Sequence, residues 1–430
     1  MSRIIQVNER PPLLVSIPLS LQHLFAMFAA NVLVPNLFGI DPATVLLMNG
    51  IGTLLYLFIC KGKIPAFLGS SFAFLSPVFL ILGKGRPFEE ALFGFLGVGI
   101  IFIIVALLVK KVGIGWINVV FPPAAMGAIV AVIGLELVPI AAGMAGFISK
   151  NADPKWAMDS KAVAVAVITL GTIILGNVLF RGFMKIIPIL IGIVVGYLAA
   201  VLIDHYTGVN LVSFQAVNDA AWFRLPTRYT PHFNLSSALV ILPAALVVIA
   251  EHIGHLVVTS NIVGKDLSKD PGLHRSLMGN GISTVLSSLF GSTPNTTYGE
   301  NIGVLALTKV YSTWVIGGAA VFSVVLSFSG KISALISSIP EPVMGGVSIL
   351  LFGIIASSGI RMLVESKVNY DKPINLILTS VVLVIGISGM KFTLGDGFEL
   401  KGMALATVVA IILSLLFKLF TVLKIDNEAH

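Results

Sequence analysis

The chain has 430 residues, 57% hydrophobic and 11% charged, with a mean hydropathy of +1.01. Soluble domains carry about 25% charged residues, so the solvent for this much apolar surface is lipid. The net charge of +7 reads as an excess of basic residues on cytoplasmic loops rather than as nucleic-acid binding, and a single cysteine, Cys60, excludes an internal disulfide and a thiol metal site.

In chain order, a short polar N-terminal stretch without a cleavable-signal pattern leads straight into the first apolar run. Apolar spans are expected at 13–35, 42–60, 64–83, 90–109, 116–146, 161–180 and 184–203. A polar loop at 204–235, with Pro226 and Pro231, is expected to be irregular or to hold a short surface helix. Further spans follow at 236–263, 276–291, 293–309, 312–330, 334–358, 374–389 and 402–423, giving seven plus seven. The spans 64–83 and 293–309 are interrupted by Gly, Ser and Pro and read as half-helices. Lys61, Lys63, Lys110, Lys111, Arg181, Lys185, Lys265, Lys269, Arg275, Arg361, Lys367 and Lys372 fall on one side, which puts both termini in the cytoplasm. Trp116, Trp156, Trp222 and Trp314 read as interface anchors.

The halves echo each other. Gln22-His23 corresponds to Glu251-His252, and Asn49-Gly50-Ile51-Gly52-Thr53 to Asn280-Gly281-Ile282-Ser283-Thr284. Gly69-Ser70-Ser71 corresponds to Gly291-Ser292-Thr293, and Pro122 with Met126-Gly127 to Pro340 with Met344-Gly345. A repeat with an odd number of spans enters the membrane upside down. Inverted repeats with interrupted spans at matching places are a sign of secondary transporters that bind solute at the bilayer midplane.

Glu251 lies inside an apolar run and Glu300 lies between two more. A carboxylate at that depth costs roughly 2.5–3.5 kcal/mol on insertion scales, so both are candidates for function. Glu251 and His255 are one helical turn apart on the same face and can share a proton, whereas His252 points elsewhere and reads as a packing residue. Half-helices starting near Phe72 and near Gly299 would aim unpaired N–H groups at one another, with the two acids close by. That arrangement suits a small planar solute with carbonyl oxygens and ring N–H groups, walled by Phe72, Tyr298 or Phe352. Two carboxylates make an inorganic anion a poor guest. Glu136, in another apolar run, is a candidate for lining a gate. Lys309, Arg361 and Lys367 read as topology charges, and Met126 and Met344 as packing residues. No paired nucleophile and base, no His-Glu-x-x-His run and no phosphate loop is present, so no enzyme, cofactor or metal is expected.

The run Glu300-Asn301-Ile302-Gly303 followed by Thr308-Lys309, with Gln22-His23 in the first span, resembles the signatures of the nucleobase–ascorbate transporters, the second nucleobase–cation symporter family. Ala250-Glu251-His252-Ile253-Gly254-His255 and Gly69-Ser70-Ser71-Phe72-Ala73-Phe74 look like the bacterial uracil carriers within it. The resemblance runs from about Pro11 to Lys424. It implies an all-α integral membrane fold of fourteen segments in two inverted repeats, with short antiparallel strands in segments 3 and 10. A core domain would comprise 11–112 and 236–331, a gate domain 113–204 and 332–424, with 205–235 an external loop. It implies import of uracil with protons across the bacterial inner membrane, the alternative being a purine such as xanthine. Uracil would be held by the Glu251 and Glu300 side chains and the Phe72 and Gly299 backbone, with Ser71 and Tyr298 beside them. His255 would join both acids in proton coupling, Phe352 would belong to the gate, and the carrier would be a homodimer. Two departures stand out: Phe352 where similar uracil carriers can have tyrosine, and Asn31 in place of a smaller polar residue.

Overall fold

The computed structural model describes residues 4–149, 155–394 and 398–425. The chain ends themselves, 1–3 and 426–430, lie outside the described residues, and with them the expected position of the termini. Among the described residues, nine helices are long and apolar enough to cross a membrane, from Leu13–Phe38 to Gly402–Leu423. Three shorter apolar helices, Phe72–Gly83, Thr313–Ser327 and Pro373–Ile387, join them. The protein is a helical, multi-pass membrane protein.

Local chemistry explains where helices start and break. Asp41 caps Pro42–Ile59, accepting the Ala43 N–H at 3.0 Å, and Pro42 takes the first position, where its missing N–H costs nothing. Asp159 and Ser312 cap Ser160–Leu179 and Thr313–Ser327 in the same way. The first span is not continuous but divides at Met27 into Leu13–Ala26 and Phe28–Phe38. The run read as 116–146 is three pieces, Ile117–Val120, Pro123–Glu136 and Val138–Met144, with Pro122 and Pro123 at the first break. The polar loop contains one short helix, Gln215–Asp219. Its far end is pinned by Asp41, which accepts from Arg224 Nη2 (2.6 Å), the Thr227 N–H (3.0 Å) and hydroxyl (2.8 Å), and Ser333 Oγ (2.6 Å). Burial alone would raise the Asp41 carboxyl, but the donors from Ser333, Thr227 and Ala43 outweigh it and hold the group below the usual carboxylate range.

The helices pack in two sets. In one, Leu273–Phe290 lies against Phe88–Val112 and Pro42–Ile59, and Thr313–Ser327 against Pro42–Ile59 and Leu13–Ala26. In the other, Glu341–Glu365 lies against Pro123–Glu136 and Ser160–Leu179, and Pro373–Ile387 joins Pro123–Glu136 and Gly402–Leu423. Each set has a reciprocal glycine contact. A Cβ on Gly99 or Gly281 would come within 2.9 Å of the other's carbonyl oxygen, and Gly127 and Gly359 make the corresponding approach at 2.9 and 2.5 Å. Lipid offers helices little hydrophobic reason to associate, so small residues that let backbones touch supply the packing.

Two extended segments cross between the half-helices. Strand β1 (Leu68–Ser70) pairs antiparallel with β2 (Asn295–Thr297), with Leu68 opposite Thr297, Gly69 opposite Thr296 and Ser70 opposite Asn295. Extended backbone at this depth must satisfy its polar groups within the protein. The repeated motif does so in both halves. Thr53 Oγ1 accepts the Leu68 N–H (2.9 Å) and donates to the Leu68 carbonyl (3.4 Å). Thr284 Oγ1 accepts the Asn295 N–H and donates to the Asn295 carbonyl, both at 3.2 Å. A second antiparallel pair, β3 (Lys391–Leu394) with β4 (Phe398–Lys401), occupies a stretch to which the sequence reading gave no element.

Candidate functional site

Glu251 and His255 both lie on helix Ala244–Val263, one turn apart. Glu300 is in the first turn of Gly299–Thr308, where a negative side chain is favoured by the free N–H groups. A 3-10 turn at Phe72–Phe74, capped by Ser71 (3.3 Å from the Ala73 N–H), runs on into helix Leu75–Gly83. The two half-helices therefore begin where the sequence places them, directly after β1 and β2. The expected site residues converge around this crossing. Helix Ala244–Val263, which carries Glu251, packs against both half-helix starts, Phe72–Phe74 after Ser71 and Gly299–Thr308 with Glu300. Glu251 Oε2 is buried without a hydrogen-bond partner. An unsatisfied buried acceptor costs on the order of 1–3 kcal/mol, and more when charged, so this oxygen is available to a donor from outside the protein.

His255 shares a 3.1 Å hydrogen bond with Thr297 Oγ1 on β2, through Nδ1. Among the described residues no hydrogen bond joins it to Glu251; its nearer tie is to the strand. A Cβ on Gly299 would lie 3.4 Å from His255 Nε2, so the bare glycine keeps the start of the half-helix open beside the imidazole. His252 faces away, as expected, bonding Ser276 Oγ at 2.8 Å, which in turn meets the Tyr56 hydroxyl at 2.7 Å.

Phe72 and Phe352 form an edge-to-face pair with ring centroids 5.8 Å apart, both buried. Such a pair contributes about 0.5–1.5 kcal/mol beyond burial and builds one apolar wall. Tyr298 packs its ring over Gly69, where a Cβ would sit 2.0 Å from the ring, and its hydroxyl donates to the Ser70 carbonyl at 3.0 Å and towards Asn31 Oδ1 at 3.4 Å. Asn31 also accepts from Asn49 Nδ2 at 2.7 Å, so this unusual asparagine braces the back of the crossing.

Three contacts were not anticipated. Asn301 Nδ2 lies 3.3 Å from His23 Nδ1 and 3.4 Å from the His23 carbonyl, so the two signature motifs touch each other. Thr297 orients His255. Ser76, one turn beyond Phe72, donates to Glu136 at 2.8 Å. A cavity of about 1000 Å³ lies elsewhere, lined among others by Asn36, Asp41, Arg224, Tyr229 and Met344. None of Glu251, Glu300, Phe72 or His255 lines it.

Residues 15–395 match the model of a permease family. The chain belongs to this family. It is 66% identical over 426 residues to a uracil permease of Paenibacillus larvae, covering 99% of both chains. It is 64% identical over 422 residues to the uracil permease of Escherichia coli K12 (98% of this chain, 96% of that one). A uracil permease of Bacillus subtilis is 49% identical over 404 residues (92% and 91%). These relatives are permeases, not enzymes. Among solved structures, the transmembrane domain of the cyanobacterial bicarbonate transporter BicA superposes with a TM-score of 0.57 at 14% identity, covering 97% of this chain and 99% of that one. SLC26A9 superposes with a TM-score of 0.70 at 12% identity, covering 95% of this chain and 66% of that one. At such identities the likeness is one of fold alone.

Proposed function

We propose that this permease imports uracil by proton symport. The observation that carries the reading is the packing of the Glu251 helix against both half-helix starts, with Glu251 Oε2 buried and left without a protein partner. Uracil presents ring N–H donors to the two carboxylates and carbonyl oxygens to the backbone N–H groups of Phe72 and Gly299, which begin their half-helices and so lack intrahelical partners. Phe72 and Phe352 wall its face. Tyr298 and Ser71 hold the strands that aim these groups. The high identity to uracil permeases supports uracil over a purine such as xanthine.

The same proposal covers the cycle and its setting. The nine long and three shorter apolar helices, together with Leu273–Phe290 and Gly299–Thr308, make fourteen segments as two inverted repeats of seven. The first packing set, with the crossing strands, is the core domain (11–112 and 236–331) and the second is the gate (113–204 and 332–424). A proton taken up by Glu251, Glu300 and His255 accompanies uracil while the core moves against the gate. The chain sits in the bacterial inner membrane with both termini cytoplasmic and loop 205–235 outside, so the 1000 Å³ cavity is the external mouth. Two copies pair through their gate domains.

Uptake of labelled uracil into proteoliposomes under an imposed pH gradient tests this. Accumulation that a protonophore abolishes is expected, with unlabelled xanthine competing poorly. Undiminished accumulation with the protonophore contradicts proton coupling, and stronger competition by xanthine than by uracil contradicts the substrate.

A further inference from the structure

Glu136 is a half-buried acid that the uptake cycle above does not use. It ends helix Pro123–Glu136 in the second packing set, where the chain breaks before Val138–Met144. Its two oxygens face opposite ways across the boundary between the sets. Oε2 accepts the Met403 N–H at 2.9 Å, at the start of helix Gly402–Leu423 in its own set, a favourable place for a negative charge. Oε1 accepts from Ser76 Oγ at 2.8 Å, in the other set. Gly402, with φ +55°, makes this possible: a Cβ there would lie 1.9 Å from Oε1.

Ser76 is one turn beyond Phe72 on the half-helix that supplies the site's aromatic wall. The far end of that half-helix is tied to the same neighbourhood, because Lys84 Nζ lies 3.9 Å from Glu399 Oε2 on β4, which leads directly into Gly402–Leu423. That pair is long and half-exposed, so the Ser76 bond is the tie that holds the half-helix. The matching half-helix shows no counterpart: position 303, opposite Ser76 when the two strands and half-helix starts are aligned, is Gly303, and position 354, opposite Glu136, is Ile354. Among the described residues the tie exists in one half only.

We infer that Glu136 is a positioning residue that reaches across the boundary between the two helix sets and, through Ser76, holds the Phe72 half-helix against Phe352 in the substrate-binding arrangement. The inference rests on the uracil-carrier reading for its functional consequence. The bond is charge-assisted, fixed at one end to a helix start, and one turn from a residue of the site. Losing it frees the half-helix to shift relative to the gate, which lowers affinity without removing any group that touches the substrate.

The test uses the purified full chain and equilibrium binding of labelled uracil. Ser76→Ala and Glu136→Ala are each expected to weaken binding about 5- to 20-fold, less than the full loss of a hydrogen bond to a charged group because the tie acts on the substrate only through the half-helix. The double variant is expected to be no weaker than Glu136→Ala, because one interaction is lost once. Ser76→Thr, which keeps the hydroxyl, is expected to bind within about twofold of wild type. Lys84→Ala, at the exposed ion pair, is expected to change binding less than about twofold. Wild-type binding by Ser76→Ala, or losses that multiply in the double variant, would overturn the inference. Melting temperatures of the same proteins read the Ser76–Glu136 coupling without ligand. A wild-type chain that binds no uracil but shows non-additive melting shifts would therefore reject the substrate and keep the tie.

Discussion

The half-helix that continues from Phe72–Phe74 into Leu75–Gly83 is apolar apart from Ser76, whereas Gly299–Thr308 carries Glu300 and Asn301 in its first turn. Their scaffolds are matched. Each follows a three-residue strand, the strands pair about Gly69 and Thr296, and a motif threonine holds the first residue of each strand through both its N–H and its carbonyl. Their side chains have diverged. The first half-helix contributes a wall, Phe72 on Phe352, and a mechanical tie through Ser76 to Glu136. The second contributes charge and a link to the other signature motif, Asn301 on His23. Symmetric backbone pairing satisfies the bilayer's demand for internal hydrogen bonds, and it leaves the side chains free to specialise. Such an unequal pair suits the planar base proposed above, whose faces are apolar and whose rim carries both donors and acceptors.

The comparison can be broken at its glycines, where the largest effect is expected. Gly69→Ala places a methyl 2.0 Å from the ring of Tyr298, which is buried and tied by its hydroxyl to the Ser70 carbonyl. Overpacking of that kind costs about 1–3 kcal/mol or more, and fluorescence-detected size-exclusion chromatography is expected to show little folded protein. A normal monodisperse peak would mean that the crossing is looser than described. Next, Thr53→Val and Thr284→Val each remove the same two backbone hydrogen bonds. Each should lower stability by about 1–3 kcal/mol, to similar extents, in thermal unfolding of the detergent-solubilised protein. A clear inequality would show that the matched scaffold is matched in geometry only.

Gly299→Ala has room, with its Cβ 3.4 Å from His255 Nε2, so it should fold normally yet bind uracil about tenfold more weakly by crowding the open N–H group. Unchanged affinity would remove Gly299 from the site. The smallest effect is expected from Phe352→Leu, which gives up the edge-to-face contact with Phe72. At about 0.5–1.5 kcal/mol, binding should weaken about two- to tenfold with stability little changed. Tighter binding would mean that the ring obstructs rather than walls the site.

Much of this candidate site was proposed from the sequence because the bilayer makes exceptions conspicuous. Glu251 and Glu300 are conspicuous as acids in apolar runs, and Gly69-Ser70-Ser71 and Gly299 announce non-helical backbone at that depth. The echo of Asn49–Thr53 in Asn280–Thr284 was visible, but its purpose was not. Only the folded chain shows each threonine clasping a strand. The Asn301–His23 and Ser76–Glu136 contacts join residues far apart in the chain, and no periodicity within either segment points to the other. The β3–β4 pair is a different kind of miss. Phe392 and Leu394, then Phe398 and Leu400, alternate with polar residues on either side of Gly395-Asp396-Gly397, a local hairpin signal overshadowed by the stronger helical runs around it. Breaks inside long spans, as at Met27, were hidden because apolar composition measures length in lipid and says little about where a helix divides.

The central claim is that two acids on different repeats grip one flat base. Equilibrium binding of labelled uracil to purified wild type, Glu251→Gln and Glu300→Gln tests it directly. Each substitution keeps the shape and removes the charge that receives a ring N–H, so a loss of about 10- to 150-fold is expected for each, with folding unaffected. Wild-type affinity in either variant would contradict the account.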